Sequence, residues 1–348
     1  MRRISLAVLM MALMGLGSLA QTAPKESLLV LSKHDHTLAI VDPATLKVVA
    51  KMPVGDDPHE VIATEDGKTA YVSNYGGGGA GALHTLAVID LVNHRALAPI
   101  DMGALRGPHG LDFAGGKVWF TAEAAKAFGS VDPTSGKVDF VLGSGQNRTH
   151  MIVVAQDLSR IFTSNIQSGT LSIWEKTRPS LPSGPPPAAG APPPGPFSPE
   201  WNQTLMPVGA GTEGFDVSPD GKEVWGANSQ DGTIAVVSVA EKKVVQTIPA
   251  NVRGANRLKF TPDGKLALVS MLSGSDVAVF EVASRREVKR ISVGHGAAGI
   301  QMQPDGTRAF VACTPDNYVA VIDVKTLAVT GHIDAGGNPD GMAWAVQR

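Results

Sequence analysis

The segment Asp66-Gly67-Lys68-Thr69-Ala70-Tyr71-Val72-Ser73-Asn74 returns in related form at three later places in the chain. The later copies are Asp220-Gly221-Lys222-Glu223-Val224-Trp225-Gly226-Ala227-Asn228, Asp263-Gly264-Lys265-Leu266-Ala267-Leu268-Val269-Ser270 and Asp305-Gly306-Thr307-Arg308-Ala309-Phe310-Val311-Ala312. An Asp-Gly pair supplies the left-handed backbone of a two-residue hairpin turn, and the apolar run after it is typical of a β-strand. The repetition therefore predicts a series of similar β-hairpins.

A third strand is predicted after each hairpin, and a polar turn then leads to a fourth. The third strands are the apolar runs at residues 38–42, 86–90, 234–238, 277–281 and 319–323. Residues 47–50 and 243–246 are examples of the fourth strand. Each unit is thus expected to be a four-stranded antiparallel sheet.

The next unit opens with a Gly-rich loop and one residue that we call the anchor, at the start of the innermost strand. The anchors are His59, His109, His150, Glu213, Asn256, Ala298 and Asp340, spaced by 50, 41, 63, 43, 42 and 42 residues. The interval of 63 contains a Pro-rich insert at 178–200, without which it shortens to 40. Seven anchors predict an all-β, seven-bladed β-propeller.

The two ends of the chain fit together in this scheme. The last anchor is followed by a single short strand at 342–346, while the first strands, near 28–54, have no inner strand before them. Joining them completes a four-stranded blade, so the last blade is expected to be closed by the N-terminal strands. Closure of this kind removes the exposed edges of an open sheet.

The quartet Tyr71-Val72-Ser73-Asn74, with the Val-Ile-Asp ending of the strand at 86–90, resembles the repeat of YVTN-type β-propellers. The resemblance covers nearly the whole chain after its N-terminal segment and implies the propeller fold. That family includes binding proteins, surface-layer proteins and enzyme-like propellers, so the resemblance implies no single reaction.

The N-terminal residues 1–20 have the layout of a secretory signal peptide. Arg2 and Arg3 precede an apolar stretch at 4–17, and small residues at 18 and 20 mark a cleavage site. The domain is then 21–348, expected in the periplasm or secreted. The apolar run is short for a membrane span, which needs about 20 residues, and no later run is long enough, so we expect a protein that does not span the membrane.

Charge and cysteine content limit the partners and cofactors. The net charge is −2 and only 5% of residues are aromatic, which argues against nucleic acid as a partner. Cys313 is the single cysteine, so the chain has no internal disulfide and no attachment motif for covalent haem c. A monomer is expected.

The insert at 178–200 contains ten prolines and should be extended. It falls between the third and fourth strands of its blade, whose connecting loops lie on the face opposite the anchors. It is either a tolerated loop or a docking segment for a protein partner.

The blade-to-blade loops and the ends of the second strands reach the face of the propeller that carries the anchors. They are expected to form a His/Arg-lined channel mouth, where Arg and Lys side chains could bind anionic groups. The candidate ligand-binding residues there are Lys33, Asn74, Arg106, Glu123, Arg148, Asn165, Glu213, Asn228, Arg257 and Asp340.

Three consecutive anchors, His59, His109 and His150, are candidate ligands of a divalent transition metal, because imidazole is a common ligand of Zn and Cu. They could equally fill the channel mouth without a metal. The loop Gly76-Gly77-Gly78-Gly79 lies on the same face and could be a mobile lid.

Two kinds of function remain open. The first is a binding or scaffold protein that presents the channel mouth to a small ligand, a metal or a protein partner, and no complete catalytic set contradicts it. The second is an enzyme, either a metal-dependent lactonase or lyase with a channel histidine or Glu123 as base, or the propeller subunit of a redox enzyme such as an amine dehydrogenase.

Overall fold

The strands of the repeat form seven small antiparallel sheets arranged in a ring, in a computed structural model that describes residues 24–177 and 200–348. The seven-bladed propeller predicted from the anchors is therefore confirmed. The predicted signal peptide at 1–20 and residues 178–199 of the insert lie outside the described residues. Within those ranges, no helix has the length and apolar character needed to cross a bilayer.

Blades 1 to 3 follow one another along the chain. Blade 1 consists of β4 (Pro58–Ala63), β5 (Thr69–Asn74), β6 (Thr85–Asp90) and an outer strand divided into β7 (Arg95–Ala96) and β8 (Ile100–Asp101). Blade 2 consists of β9 (Pro108–Ala114), β10 (Lys117–Ala122), β11 (Ala127–Asp132) and β12 (Lys137–Gly143). Blade 3 consists of β13 (Thr149–Val154), β14 (Arg160–Asn165), β15 (Thr170–Thr177) and β16 (Glu200–Pro207), so the insert joins its third and fourth strands as predicted.

Blades 4 to 6 repeat the pattern, and blade 7 combines the two ends of the chain. Blade 4 consists of β17 (Thr212–Val217), β18 (Glu223–Asn228), β19 (Ile234–Ser238) and β20 (Lys243–Ile248). Blade 5 consists of β21 (Ala255–Phe260), β22 (Leu266–Met271), β23 (Asp276–Glu281) and β24 (Arg286–Ser292). Blade 6 consists of β25 (Ala297–Met302), β26 (Arg308–Cys313), β27 (Tyr318–Asp323) and β28 (Ala328–Ile333), with a 3-10 turn at Thr314–Asp316.

Blade 7 has the order β29 (Pro339–Val346), β1 (Glu26–Ser32), β2 (Thr37–Asp42) and β3 (Lys47–Pro53). The innermost strand β29 pairs with β1 from Glu26↔Val346 onward. The prediction that N-terminal strands close the last blade is confirmed.

The core lies between neighbouring blades. Leu28, Leu29, Val30 and Leu31 are consecutive in β1 and all fully buried, because each blade packs on a neighbour on both faces. One apolar cluster, for example, joins Trp225 of blade 4 to Phe280 of blade 5. Strands buried on both faces explain why the repeat reads as continuous apolar runs.

The Asp-Gly turn is longer than predicted. Residues 64–68 connect β4 to β5, and Gly67, but not Asp66, has a positive φ. The Thr64 hydroxyl donates to the Asp66 carboxylate at 2.7 Å, and the Gly67 N–H donates to the Thr64 carbonyl at 2.9 Å. The predicted two-residue hairpin turn was therefore wrong, because five residues connect the strands and the Thr64 N–H, which donates to the Thr69 carbonyl at 2.9 Å, closes this longer loop.

Neighbouring blades are tied together next to the anchors. The hydroxyl of Thr121, in blade 2, donates to the carbonyl of His150 at 2.6 Å. Equivalent bonds run from Ser164 to the Glu213 carbonyl at 3.0 Å and from Ser270 to the Ala298 carbonyl at 2.5 Å. These bonds fix the position of the next blade's anchor relative to the blade before it.

Candidate functional site

The seven anchors were predicted at the starts of the innermost strands, and each is the second residue of its strand. The residue two positions earlier has a positive φ in every blade and turns the chain inward. These residues are Asp57, Gly107, Arg148, Gly211, Gly254, Gly296 and Asn338. Four are glycines, for which this backbone is easy, whereas a left-handed backbone costs a side-chain-bearing residue about 1 kcal/mol. Arg148 and Asp57 hold this conformation at the mouth of the channel, where both make polar contacts.

The anchors surround a cavity of about 260 Å³, which we call the mouth cavity. Eight predicted site residues line it: Lys33, His59, His109, Arg148, His150, Glu213, Arg257 and Asp340. Tyr75, Asn256, Leu272, Ala298 and Thr314 complete the lining. Tyr75 was not predicted as a site residue, although it follows Asn74 directly, at the position that Lys33 and Glu123 occupy in their own blades.

Three predicted ligand-binding residues, Asn74, Asn165 and Asn228, lie outside the lining of the mouth cavity. All three are buried, and each amide is used to hold a loop. Asn74 donates to the carbonyls of Val54 and Asp56 at 2.8 and 2.9 Å. Asn228 likewise donates to the Val208 carbonyl and also bonds the Thr212 and Thr233 hydroxyls. Asn165 instead bonds the hydroxyls of Thr149, Thr170 and Ser172. Because the turns beside them already engage their amides, we leave these three residues out of the candidate site.

Arg106 also lies outside the lining of the cavity. Its side chain is exposed, and Nη1 donates to the carbonyl of Ala82 at 2.9 Å, so it fixes the end of the glycine-rich loop. The loop itself covers the site, since a Cβ on Gly78 would lie 2.8 Å from the Glu123 carboxylate. Only a glycine permits so close an approach of the backbone to Glu123.

Glu123 is the buried centre of a hydrogen-bond network beneath the mouth cavity. Its carboxylate accepts bonds from the Tyr75 hydroxyl and from His150 Nδ1, and from Arg148 Nε at 3.4 Å. Burial alone would raise the pKa of Glu123, but the hydrogen bonds from His150 and Tyr75, with the charge of Arg148, outweigh it and hold that pKa below its usual value. Burial and the Glu123 carboxylate raise the pKa of Tyr75. Glu123 is thus ionised and Tyr75 protonated near neutral pH.

The three histidines lie together as a row of rings. The ring centroids of His59 and His109 are 5.0 Å apart, and those of His109 and His150 are 3.8 Å apart with 34° between the planes. Within residues 24–177 and 200–348, no three His, Cys, Asp or Glu side chains have an arrangement that could hold a metal ion. The neighbouring rings are tilted by 58° and 34° and contact each other directly.

Two of these imidazoles carry a nitrogen without a protein partner. His109 and His150 are each 2% exposed, and in the described part of the chain His109 Nδ1 and His150 Nε2 make no hydrogen bond. Burial, with the positive groups around it, holds the pKa of His109 well below its usual value, so this ring is neutral. A buried polar atom left unpaired costs about 1–3 kcal/mol, which a bound molecule could recover.

Lys33 lies one position beyond the end of its strand, not at the end as predicted, but it does reach the mouth cavity. Its Nζ is 2.8 Å from His59 Nε2, 3.5 Å from Asp57 and 3.3 Å from Asp340. The pKa of Asp57 is lowered to about 2, chiefly by its bond to His59. These carboxylates already neutralise the charge of Lys33.

The floor of the mouth cavity is an ion pair that crosses the channel. Arg257 Nη2, in blade 5, donates to the carboxylate of Glu60, in blade 1, and both side chains are nearly buried. Each follows an anchor directly, and the equivalent positions in four other blades are Gly110, Gly214, Gly299 and Gly341. A Cβ on any of these would lie 2.2–2.6 Å from the next blade's anchor carbonyl. The four glycines thus allow the innermost strands of neighbouring blades to approach each other closely at the level of this ion pair.

Below this pair lies a second cavity of about 390 Å³, which reaches the opposite end of the channel. Asp112 and Asp216 project into it, and each carboxylate accepts a backbone N–H of the next blade, from Val154 at 2.7 Å and from Phe260 at 3.0 Å. These two carboxylates therefore connect blades, and the ion pair of Glu60 and Arg257 separates their cavity from the mouth.

Comparisons with known proteins support the propeller fold but do not assign the chain to a family. No family model matches the chain, and no curated protein matches it significantly, so membership of the YVTN-type family stays a prediction. A functionally unknown protein from Desulfotomaculum acetoxidans is similar, with a TM-score of 0.72 and 15% identity over 92% of this chain and 99% of that one.

Two further solved structures share the fold. A proposed 6-phosphogluconolactonase from Bacteroides uniformis has a TM-score of 0.70 and 16% identity, over 92% of this chain and 100% of that one. Hydrazine synthase from Kuenenia stuttgartiensis has a TM-score of 0.66 and 14% identity, over 82% and 89%. At sequence identities this low, the similarity supports the propeller fold alone.

Proposed function

We propose that this chain is an exported binding protein whose mouth cavity holds one small polar molecule. The observation that carries the proposal is the pair of buried, unpaired nitrogens, His109 Nδ1 and His150 Nε2, on two side chains that line the cavity. Buried polar groups are nearly always hydrogen-bonded, so two such atoms beside one cavity point to a ligand. The ring of blades holds both histidines in place before a ligand arrives.

The size of the cavity limits the ligand. A volume of about 260 Å³ is slightly below the range of drug-sized pockets, which begins near 300 Å³. Arg148 is 36% exposed in its side chain, and in the described ranges its Nη1 has no acceptor, so it can meet an acidic group of the ligand. A cavity of this size restricts the ligand to a small metabolite.

The test is a thermal-shift screen of small acids, amines, amino acids and sugars against the wild type and His150→Phe. A compound at 100 times its Kd should stabilise the wild type by about 2.7 kcal/mol and leave the variant unshifted. His295→Phe is the matched control, because His295 is an exposed histidine outside the mouth cavity. Circular dichroism checks that each variant is folded, and His109→Phe repeats the test at the second unpaired nitrogen. Equal shifts in the wild type and both cavity variants would overturn the proposal.

A second candidate function is supported by the geometry of Glu123 and His150. With Glu123 accepting from Nδ1, a singly protonated His150 presents the lone pair of Nε2 to the cavity. A carboxylate that orients a histidine in this way is the arrangement of a general base, which could take a proton from water as it attacks a lactone or ester. A pH-stat assay of small lactones tests this. Turnover should fall at least about 100-fold in His150→Gln and stay unchanged in His295→Gln.

A further inference from the structure

The charges around the mouth cavity contain an excess of carboxylates. The cations that line it are Lys33, Arg148 and Arg257. The carboxylates that line it or pair with these cations are Asp57, Glu60, Glu123, Glu213 and Asp340. An anion alone would therefore enter a site in which carboxylates outnumber the lysine and arginine side chains. A ligand that brings a positive group complements this site better.

Glu213 is the carboxylate with the least compensation. Its Oε1 accepts a bond from the Asn256 amide at 2.7 Å and lies 3.8 Å from His150 Nε2. Among the described residues, no lysine or arginine lies within ion-pair distance of it. Glu213 is only partly buried, so its carboxylate remains accessible from the cavity.

An unpartnered nitrogen therefore lies beside this carboxylate. The Glu123 carboxylate engages His150 at Nδ1, while Nε2, beside the Glu213 oxygen, has no hydrogen-bond partner among the described residues. A distance of 3.8 Å is too long for a direct hydrogen bond. A primary ammonium has three N–H donors and could satisfy both atoms, whereas a hydroxyl has a single donor.

Arg148 lies on the other side of the same histidine. Its Nε contacts Glu123, which holds Nδ1 of His150, while Glu213 faces Nε2. The available guanidinium nitrogen of Arg148 and the carboxylate of Glu213, which has no lysine or arginine at ion-pair distance among the described residues, thus form a positive and a negative pole on the two sides of one imidazole ring. A molecule with an ammonium and a carboxylate on adjacent carbons would present the complementary poles.

We propose that the mouth cavity binds a small zwitterion of the free α-amino acid type. Its ammonium contacts Glu213 and His150 Nε2, and its carboxylate contacts Arg148. The proposal rests on the proposed binding function and specifies its ligand class. The volume of about 260 Å³ restricts the side chain of the amino acid to a small one.

Calorimetric titration with four matched compounds tests the class of ligand. L-Alanine has both charged groups, L-lactate replaces the ammonium by a hydroxyl, propionate lacks it, and L-alaninamide lacks the carboxylate. We expect alanine to bind and each of the other three to bind at least about tenfold more weakly, because each loses a charge-assisted hydrogen bond. Lactate or alaninamide binding as tightly as alanine would overturn the proposal.

Variants locate the two poles. Glu213→Gln should weaken the binding of alanine by about tenfold or more and leave the protein's preference for alanine over alaninamide unchanged. Arg148→Gln should abolish that preference. Asp316→Asn is the control for Glu213→Gln, because Asp316 is a carboxylate on the same face that contacts His295 outside the cavity. An unchanged affinity of Glu213→Gln for alanine would contradict the assignment of the ammonium site.

The outcome also distinguishes a failure of the proposed ligand class from a failure of the proposed binding function. If alanine does not bind, but another small compound stabilises the wild type and not His150→Phe, the proposed zwitterionic ligand is wrong and the proposed binding function stands. If no compound distinguishes the wild type from His150→Phe and His109→Phe, both proposals fail.

Discussion

Glu60 and Arg257 are 197 residues apart in the chain, and their side chains meet in the middle of the channel. The pair joins blade 1 to blade 5 and separates the mouth cavity from the cavity below it. Burial lowers the pKa of Arg257, but Glu60, Asp340 and Glu213 more than reverse that effect, so the pKa is raised and the guanidinium stays charged. The fold thus has a buried charge pair that neither partner could lose without cost.

Removing one partner of this pair should destabilise the protein strongly. Arg257→Met or Glu60→Gln leaves an uncompensated buried charge or an unmatched donor, and we expect each to cost about 3–5 kcal/mol in the free energy of unfolding. The double variant should cost less than the sum of the two. Urea unfolding measures all three, and strictly additive effects would show that the two side chains do not interact.

Gly341 is expected to tolerate no larger residue. A Cβ there would lie 2.2 Å from the carbonyl oxygen of His59, so Gly341→Ala must push blades 7 and 1 apart. We expect a loss of about 2 kcal/mol or more by thermal or urea unfolding. Gly331→Ala is the control, because the nearest atom to its Cβ would be Leu46 Cδ1 at 3.4 Å. That change should be close to neutral.

Stability should decline as the pH falls from 7 to 5. The folded chain keeps His109 neutral because its pKa is held well below the usual value, whereas an unfolded histidine takes up a proton near pH 6.5. Below that pH the unfolded state binds more protons, so the free energy of unfolding decreases, by at most about 1.4 kcal/mol per pH unit for one group. His109→Gln should make the decline shallower.

The carboxylate of Asp57 affects stability only at lower pH, so it does not interfere with the measurement between pH 7 and 5. The pKa of Asp57 is lowered to about 2, so the stability that this carboxylate contributes is present above its unfolded value near pH 4 and is lost below it. An unchanged slope between pH 7 and 5 in His109→Gln would contradict the role of His109.

The predicted metal site of His59, His109 and His150 is open to a direct measurement. Because these rings contact each other and no three His, Cys, Asp or Glu side chains of the described residues have an arrangement that could hold a metal ion, we expect the purified protein to contain less than one equivalent of any transition metal. Elemental analysis without a His tag or chelator measures this. A stoichiometric metal that the triple alanine variant loses would establish the site and favour the enzyme.

Export gives a further prediction. If residues 1–20 are a signal peptide, the mature protein should begin at Gln21 and be found in the periplasm or the medium. Mass spectrometry of the protein from fractionated cells of its source would show this start. A full-length protein in the cytosol would contradict both the signal peptide and the exported binding function.

The sequence by itself determined the number of blades, their closure and the position of the anchors. Those features depend on local signals, namely the spacing of Asp-Gly turns, the apolar runs and the Gly-rich loops, which need no knowledge of distant neighbours. The length of the Asp-Gly turn escaped prediction, because the bond from Thr64 to Asp66 competes with the tighter turn.

Only the tertiary structure decided which side chains form the site. Asn74 and its two equivalents looked like site residues, but the turns folded beside them use their amides. Tyr75, in contrast, joins the site through Glu123, which is 48 residues away. Glu60 and Arg257 likewise meet across the channel although they are 197 residues apart in the chain. Such contacts arise from the closure of the ring, which brings the starts of seven strands to one axis and lets their side chains compete for the same few partners.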